Sequence, residues 1–495
     1  MARRTPAELG RGSLAIAFFL LLAGAVSSGS FAVAQPPAAV LLPPLDMPPA
    51  NDSISPAPVP GAMGLTLAEL ENLALANNPT IPQAAALVQQ QQGLMRQASL
   101  YPNPTAGYVR TDPDQSGQSQ TQGVFLSQEF VTAGKLRLAR SAGQQEVQRS
   151  NWQLQAQRTR VLNDVRIRFF EVLGAQQAVL AAEELEALAV EGVQVAEQLL
   201  KAKQGSRPDV LQAEIQLSAV RTSLQGARYR QQAAWRQLAN VAGVPALQPA
   251  PLAGSLEISI PDLEWQPSLE QLLAASPLLR AQQAEIRAAE YELKLARAQA
   301  IPNVNVQLVA ERDHIEKFST ITTLVSLPIP LFNRNQGNIQ SAEAVLLQQQ
   351  REYDRIRLAL TDQLAGSFRQ YLTLRSQAAR LQREILPKAR ENLDLTTQGY
   401  KLGRFDFMRV LSARQTYFQT KLAHIDALTE LHKTAIEIIG LQLTGGLNPT
   451  EAGTALQSTP GAATTGIRGV LLQQLQEQRG AATRNLPGAL QAGER

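Results

Sequence analysis

No proline interrupts the chain between Pro113 and Pro208, and from about Leu136 to Lys203 its pattern stays helical. At ~1.5 Å per residue such a helix is roughly 100 Å long, far more than an ordinary globular core can cover. Its apolar positions keep a seven-residue period. Val147, Leu154 and Val161 continue as Ala175, Ala182, Ala189 and Ala196, while Val165, Val172, Val179, Val193 and Leu200 form a partner seam. A strict heptad winds helices around one another with a left-handed twist, and a run of Ala lets the neighbour come close. That neighbour follows directly: Val210, Leu217, Leu224 and Leu238 form one row, and Ala213, Val220, Ala227, Ala234 and Val241 the other. Gly205 and Pro208 mark the hairpin tip between them. Arg158, Arg168 and Glu186 break the seam, as expected of a helix wall that lines water.

The same plan occurs twice. "LALANNPTI" near Pro79 returns as "LLAASPLLR" near Pro277, and "DVLQAE" at Asp209 returns as "RVLSAR" at Arg409, a period near 200 residues. Each copy reads as helix, two strands, very long helix and returning helix, which is a duplicated domain rather than a solenoid. In the second copy Val410, Tyr417, His424 and Leu431 keep the seam register, and Pro387 is expected to kink the long helix.

The strands are amphipathic. Val304, Val306, Leu308 and Ala310 alternate with Asn305, Gln307, Val309 and Glu311, over about the 9–11 residues that a tilted membrane strand needs. The return strand, Thr320 to Ile329, is apolar on the side of Ile321, Val325, Leu327 and Ile329, and copy one supplies Thr105 to Thr111 and Gly123 to Val131. Four strands cannot close on themselves, because small barrels need about eight. Open edges are not tolerated in lipid, so several chains must share one barrel. Pro328 and Pro330 lack donors and suit the last ladder positions, and "FNRNQGN", with Asn333 and Gly337, supplies the turn from strand to helix.

The termini read differently. Arg3, Arg4 and Arg11 precede an apolar run from Leu14 to Val26 and a small-residue cleavage site at Ala32–Ala34, so residues 1–34 are expected to be a signal peptide. A Pro-rich tether (35–63), repeat one (64–244, strands at about 104–131), a linker (245–267), repeat two (268–443, strands at about 303–330) and a flexible tail (444–495) follow. The chain has no cysteine, which excludes disulfides, thiolate metal sites and a lipidated N-terminal Cys. Its formal charge of +4 is a mixed solvated surface, and no nucleic-acid partner is expected. With three His, a coordinating metal site is not expected either: His424 and His432 read as packing residues and His314 as part of a surface cluster. No catalytic constellation or phosphate loop is present, so the chain reads as no enzyme, with no cofactor.

"LTLAELENLALANNP", "LPIPLFNRNQGNI" and "GYKLGRFDFMRVLSA" resemble TolC-type outer-membrane efflux channels over about Leu65 to Leu443. The last two are similar to the cobalt–zinc–cadmium subgroup, which serves resistance-nodulation-division pumps. The resemblance implies a mainly α fold with β: a long antiparallel coiled-coil helical barrel plus a shared transmembrane β-barrel, four strands per chain and twelve in a homotrimer. It implies an outer-membrane, lipid-embedded location, a belt built from about Pro245 to Pro267 and the residues after Leu443, a periplasmic adaptor and an inner-membrane pump. Heavy-metal cations are the expected cargo; drug efflux and a type I secretion duct are the alternatives, and a soluble periplasmic scaffold is the alternative of another class. Carried onto this sequence, Gly205, Ser206, Arg207, Pro208, Asp209, Gly403, Arg404 and Phe405 are adaptor-contact tips, and Tyr400 is a gate tyrosine. Where many relatives place acidic residues at the constriction, this chain has Arg409 and Ser412, with Asp406 or Asp209 as possible substitutes. A ring of Arg repels cations, so the closed end is expected to be less cation-selective than in those relatives.

Overall fold

A computed structural model describes residues 64–111, 121–203, 205–258, 260–313, 317–402 and 404–448. The expected signal peptide, the tether, His314, Gly403 and nearly all of the tail lie outside the described residues. Copy one comprises α1 (Leu67–Asn77), α2 (Thr80–Ala98), β1 (Thr105–Thr111), β2 (Thr121–Phe130), α3 (Lys135–Lys201) and α4 (Arg207–Val241). Copy two repeats the order with α5 (Trp265–Ala275), α6 (Pro277–Gln299), β3 (Val304–Asp313), β4 (Ser319–Ser326), α7 (Gln336–Arg380), a π-helical turn (Leu381–Ile385), α8 (Leu386–Lys401) and α9 (Phe407–Ile439).

α3 runs 67 residues without a break, roughly 100 Å. Near the strands α2, α3, α6 and α7 pack side by side; further along, α3 is flanked by α4 and α9. The seam explains the α3–α4 contact. Val179 and Ala182 of α3 close against Leu224 and Ala227 of α4, and Ala196 against Val210 and Ala213. Fully burying a Val or Leu side chain contributes about 1.5–3 kcal/mol. The small Ala rows contribute less themselves but allow the close approach. Two of the seam-breaking charges do more than face water: Arg168 Nη1 donates to Gln237 Oε1 at 3.0 Å, and Glu186 pairs with Arg221 at 2.9 Å. Both are long enough to reach across to α4 from the edge of the contact, which the heptad pattern alone does not reveal.

The region after α4 wraps the middle of α3. Leu65 bridges Leu252 in parallel, and Leu252, Leu256, Phe169, Leu173 and Trp235 share one core. Gly243, at φ 74°, ends α4 in the left-handed region, where an added Cβ would lie 2.5 Å from the Asn77 backbone. The chain following α9 is held on the same stretch of α3. Asn163 Nδ2 donates to the carbonyls of Gly440 (2.9 Å) and Leu443 (2.7 Å), Gln157 Nε2 to that of Gly446 (2.6 Å), and Asp164 accepts from the N–H groups of Gly445 and Gly446.

The strands form one antiparallel sheet in the order β1-β2-β3-β4, joining the two copies through β2 and β3. Register sorts its faces. Tyr108, Val124, Ala310 and Ile321 lie in one row across the sheet, and Ala106, Leu126, Leu308 and Thr323 in the next on the same face; Ser127, Gln307 and Asn305 point the other way. Tyr108 (62% exposed), Val124 (60%) and Ile321 (67%) leave this apolar face uncovered, and β1 and β4 are open edges. The last strand is shorter than its sequence suggests. Pairing stops at Asn305 opposite Ser326, so Pro328 and Pro330 lie beyond the ladder rather than in its final rungs. A proline ring carries no N–H, and the segment leaves the sheet before one is needed. Among the described residues no helix is long and apolar enough to cross a membrane.

Candidate functional site

At the sheet end, each copy turns from strand to helix through a left-handed residue: Gly134 (φ 66°) caps α3 and Asn335 (φ 62°) caps α7. Asn333 Oδ1 accepts from the Asn335 N–H at 3.0 Å, and Asn335 Nδ2 donates to Ala296 O at 2.7 Å, tying the junction to α6. Gly337 lies in the first turn of α7, with open space where a Cβ would sit. Beyond β4, Leu327, Ile329, Leu331 and Phe332 are exposed. The sequence pointed to Asn333 and Gly337; Asn335, the residue with the left-handed backbone, carries the turn.

The other candidate residues gather at the opposite end of the long helices. In the first hairpin Ser206 caps α4 with a reciprocal box: Asp209 N–H donates to Ser206 Oγ (3.4 Å) and Ser206 N–H to Asp209 Oδ2 (3.0 Å). Arg207 and Pro208 begin the helix, both exposed. Gly205 closes the turn by donating its N–H to Leu199 O at 3.0 Å. In the second hairpin Asp406 takes the capping place, accepting from Arg409 N–H at 3.2 Å. The equivalent of Asp209 is Arg409, which cannot complete a box. Its guanidinium instead lies 4.4 Å from the centroid of the Phe405 ring. Phe405 in turn covers Gly399, where a Cβ would be 2.3 Å from the ring, and Arg404 N–H donates to Gly399 O at 2.8 Å. Arg409 and Ser412 are exposed on successive turns of α9.

The two hairpins meet around Phe407, buried among Ala196, Val210 and Ala213, with Tyr400 packed on it at 5.8 Å between ring centroids. Burial pushes the Tyr400 phenol up, and the charge of Asp209 across the joint adds to this, partly opposed by Arg414. The structure therefore brings Tyr400, Asp209 and Phe407 together, stacks Arg409 on Phe405, and leaves Ser412 apart. Arg414, which sequence reasoning passed over, is half-buried on α9, and its Nη1 donates to Leu188 O of α3 at 2.8 Å. Gly192, a glycine within a heptad-patterned helix, was the available signal.

A further cluster of charged side chains lies between α3 and α6. Arg149 Nη2 lies 2.9 Å from Glu146 Oε2 and its Nη1 2.8 Å from Glu285 Oε2, with Glu292 on the same side. Burial, foremost, pushes Glu146 and Glu292 up to about 7 each. The two seam histidines pack: His432 stacks on Phe170 at 4.1 Å with Nε2 2.8 Å from Leu256 O, and burial lowers both it and His424.

A family model described as outer membrane efflux protein matches residues 70–244 and 268–443. The chain is 29% identical over 428 residues to the cobalt-zinc-cadmium resistance protein CzcC of Cupriavidus metallidurans, covering 84% of this chain and 96% of that protein. Among solved structures, the outer-membrane channel OprN superimposes with a TM-score of 0.66 at 19% identity, over 77% of this chain and 91% of that one. CusC, described for its transmembrane channel formation, gives 0.66 at 18% identity over 77% and 92%.

Proposed function

This chain belongs to the outer membrane efflux protein family, and from that premise we propose that it is the outer-membrane duct of a tripartite export system carrying heavy-metal cations. The observation that supports this most directly is the sheet. Four strands with one apolar face uncovered and both edges open cannot stand alone in lipid, and three copies would supply twelve strands and a closed wall. The helices below would form the tunnel, and the two hairpin tips, with Ser206–Asp209 and Arg404–Phe405, would meet the periplasmic adaptor of an inner-membrane pump. Conduction is passive in this reading: the protein shapes and gates a path, and energy comes from the partner. The cargo class rests on the likeness to CzcC along nearly its whole length. Residues 1–34 would be removed on export and 35–63 would tether the mature chain.

Deletion of the gene, with complementation, tests the cargo. Sensitivity to cobalt, zinc and cadmium should rise and be restored together; sensitivity confined to organic drugs, or loss of a secreted protein, would overturn the metal assignment. Extraction tests the barrel. The protein should stay in membranes through carbonate and leave in detergent as a trimer, whereas a carbonate-soluble monomer would mean a periplasmic scaffold.

A further inference from the structure

The helical wall is basic where it meets the sheet. α2 carries a single charged side chain, Arg96 in its last turn. α3 opens with Lys135, Arg137 and Arg140, α6 closes with Lys294 and Arg297, and Arg334 precedes α7; all but Lys135 are exposed. Within about three turns of the strands the exposed carboxylates on these helices are Glu290 and Glu343, and Glu343 is taken by Arg297 at 2.8 Å. Lys135 and Arg137 lie in the first turn of α3, where positive charge opposes the helix dipole, so the helix itself is not stabilised by their charge.

Arg137 and Arg140 are the two turned toward the apolar side of the sheet. Alternation along β2 puts Glu129 on the polar face with Ser127, and Phe130 on the apolar face with Val124 and Leu126. Lys135 belongs to the polar side: its Nζ donates to Asn303 Oδ1 at 2.5 Å, and Asn303 Nδ2 donates to Glu129 Oε1 at 2.6 Å. At about 100° per residue, Arg137 lies roughly 200° and Arg140 roughly 140° round the helix from Lys135, on its other side. Arg137 also bends back toward the strands, with Nη2 3.8 Å from where a Cβ on Gly134 would sit. Neither arginine has a carboxylate partner among the described residues, whereas Arg149, further along α3, has two. Next to them Phe130 (51% exposed) and Ile301 (53%) stand uncovered at the end of the sheet. β2, β3, α3 and α6 form the middle of the chain's wall, so a second copy joined through the open edges β1 and β4 does not cover this patch.

We propose that this basic collar binds the headgroups of anionic phospholipids in the periplasmic leaflet, with Arg137 and Arg140 on the phosphates and Phe130 at the boundary between headgroup and acyl chain. This rests on the channel reading, with the strands in the membrane. A guanidinium presents paired donors to a phosphate, an aromatic ring at a strand end suits the membrane interface, and each basic side chain at an anionic surface adds attraction. A zwitterionic headgroup offers the same phosphate, but its own ammonium opposes the collar, so the preference is for lipid of net negative charge. Bound in this way, the lipid fixes the depth at which the sheet sits and leaves the passage through the tunnel unchanged.

Titration of the delipidated trimer in detergent with phosphatidylglycerol, read by native mass spectrometry, tests it, with zwitterionic phosphatidylcholine as the reference. The wild type should bind phosphatidylglycerol about 25-fold more tightly than phosphatidylcholine, about fivefold for each of the two arginines. Arg137→Gln or Arg140→Gln should weaken phosphatidylglycerol about fivefold, and the double variant should bring it close to phosphatidylcholine, whose own binding stays as it was. Arg137→Lys with Arg140→Lys, which keeps the charge, should retain most of the preference. Arg383→Gln with Arg390→Gln, exposed on the π-turn and α8, should change nothing. Equal binding of the two lipids by the wild type, or an equal loss in the distant pair, overturns the collar and leaves the channel reading intact. So does displacement of the lipid by free glycerol phosphate at the same concentration, which marks a plain anion site. A wild-type chain that stays in solution without detergent as a monomer removes the channel reading and the collar with it.

Discussion

Raising pH should loosen the joint between the two copies, and the group responsible is the cluster of Glu146, Glu285 and Glu292 around Arg149. Glu146 and Arg149 come from α3 and the other two from α6, outside the strands, so the cluster sits where copy one meets copy two. Three carboxylates share one guanidinium. Glu146 and Glu285 are only 17% and 22% exposed, so water screens their repulsion weakly. Glu146 and Glu292 are each raised from 4.5 to about 7, by burial first. The native state therefore keeps protons that the unfolded chain releases, and stability falls as pH rises from about 4.5 to about 7, then stays low. One carboxyl raised that far corresponds to roughly 3 kcal/mol of lost stability once ionised. Because the two repel each other and share Arg149, their contributions do not add, and about 3–4 kcal/mol is expected for the cluster. Glu292→Gln should recover about 2 kcal/mol at pH 8 and almost nothing at pH 4, flattening the profile. Thermal melts followed by helical circular dichroism, on detergent-purified protein across this range, measure both. Wild type and Glu292→Gln melting with the same pH slope, or a wild type more stable at pH 8 than at pH 5, would refute the reasoning.

Three further outcomes are expected. Arg409→Asp should move single-channel reversal potentials toward cation preference, because Arg409 is exposed at the start of α9; unchanged selectivity would remove it from the conduction path. Asn163→Ala takes the side-chain donor from the Leu443 carbonyl and one of two donors from that of Gly440, in a site where Asn163 is 1% exposed, and should cost about 2 kcal/mol and make residues 440–448 sensitive to limited proteolysis. Ser206→Ala removes the capping box of α4 and should cost about 1 kcal/mol locally, read as faster hydrogen exchange at Asp209 and Val210 with exchange in the middle of α4 unchanged.

Periodicity made the long elements legible. Val161, Val165 and Val172 are buried where the heptad places them, and Val410, Tyr417, His424 and Leu431 repeat this in copy two. Alternation likewise predicted which residues of β3 share a face. What the pattern could not supply was pairwise. Arg414 looks like one more polar residue on a long helix until α3 is brought beside it, and Glu146 and Glu292 lie 146 positions apart. Nor did the sequence around Pro387 announce the π-turn ahead of it, in which Leu386 N–H reaches Leu381 O, five residues back. The strand end failed for a local reason, since apolar residues continue through Leu327 and Ile329 after pairing has stopped.

Duplication sets what each copy is free to change. Both copies must supply two strands and a helix of about 66 residues, because sheet and wall are built from equivalent pieces: α3 has 67, while α7, the π-turn and α8 have 45, 5 and 16. The differences gather toward the tips. Copy one keeps an unbroken α3, a reciprocal cap at Ser206 and Asp209, and an Ala–Val seam, all of which stiffen its hairpin. Copy two interrupts its helix with a π-turn and a proline, caps with Asp406 alone, and places Arg409 where the second capping carboxylate would sit. Each change removes a local constraint from one hairpin and none from the other. Within one chain the second hairpin is therefore the less constrained of the two, although both are built on the same plan.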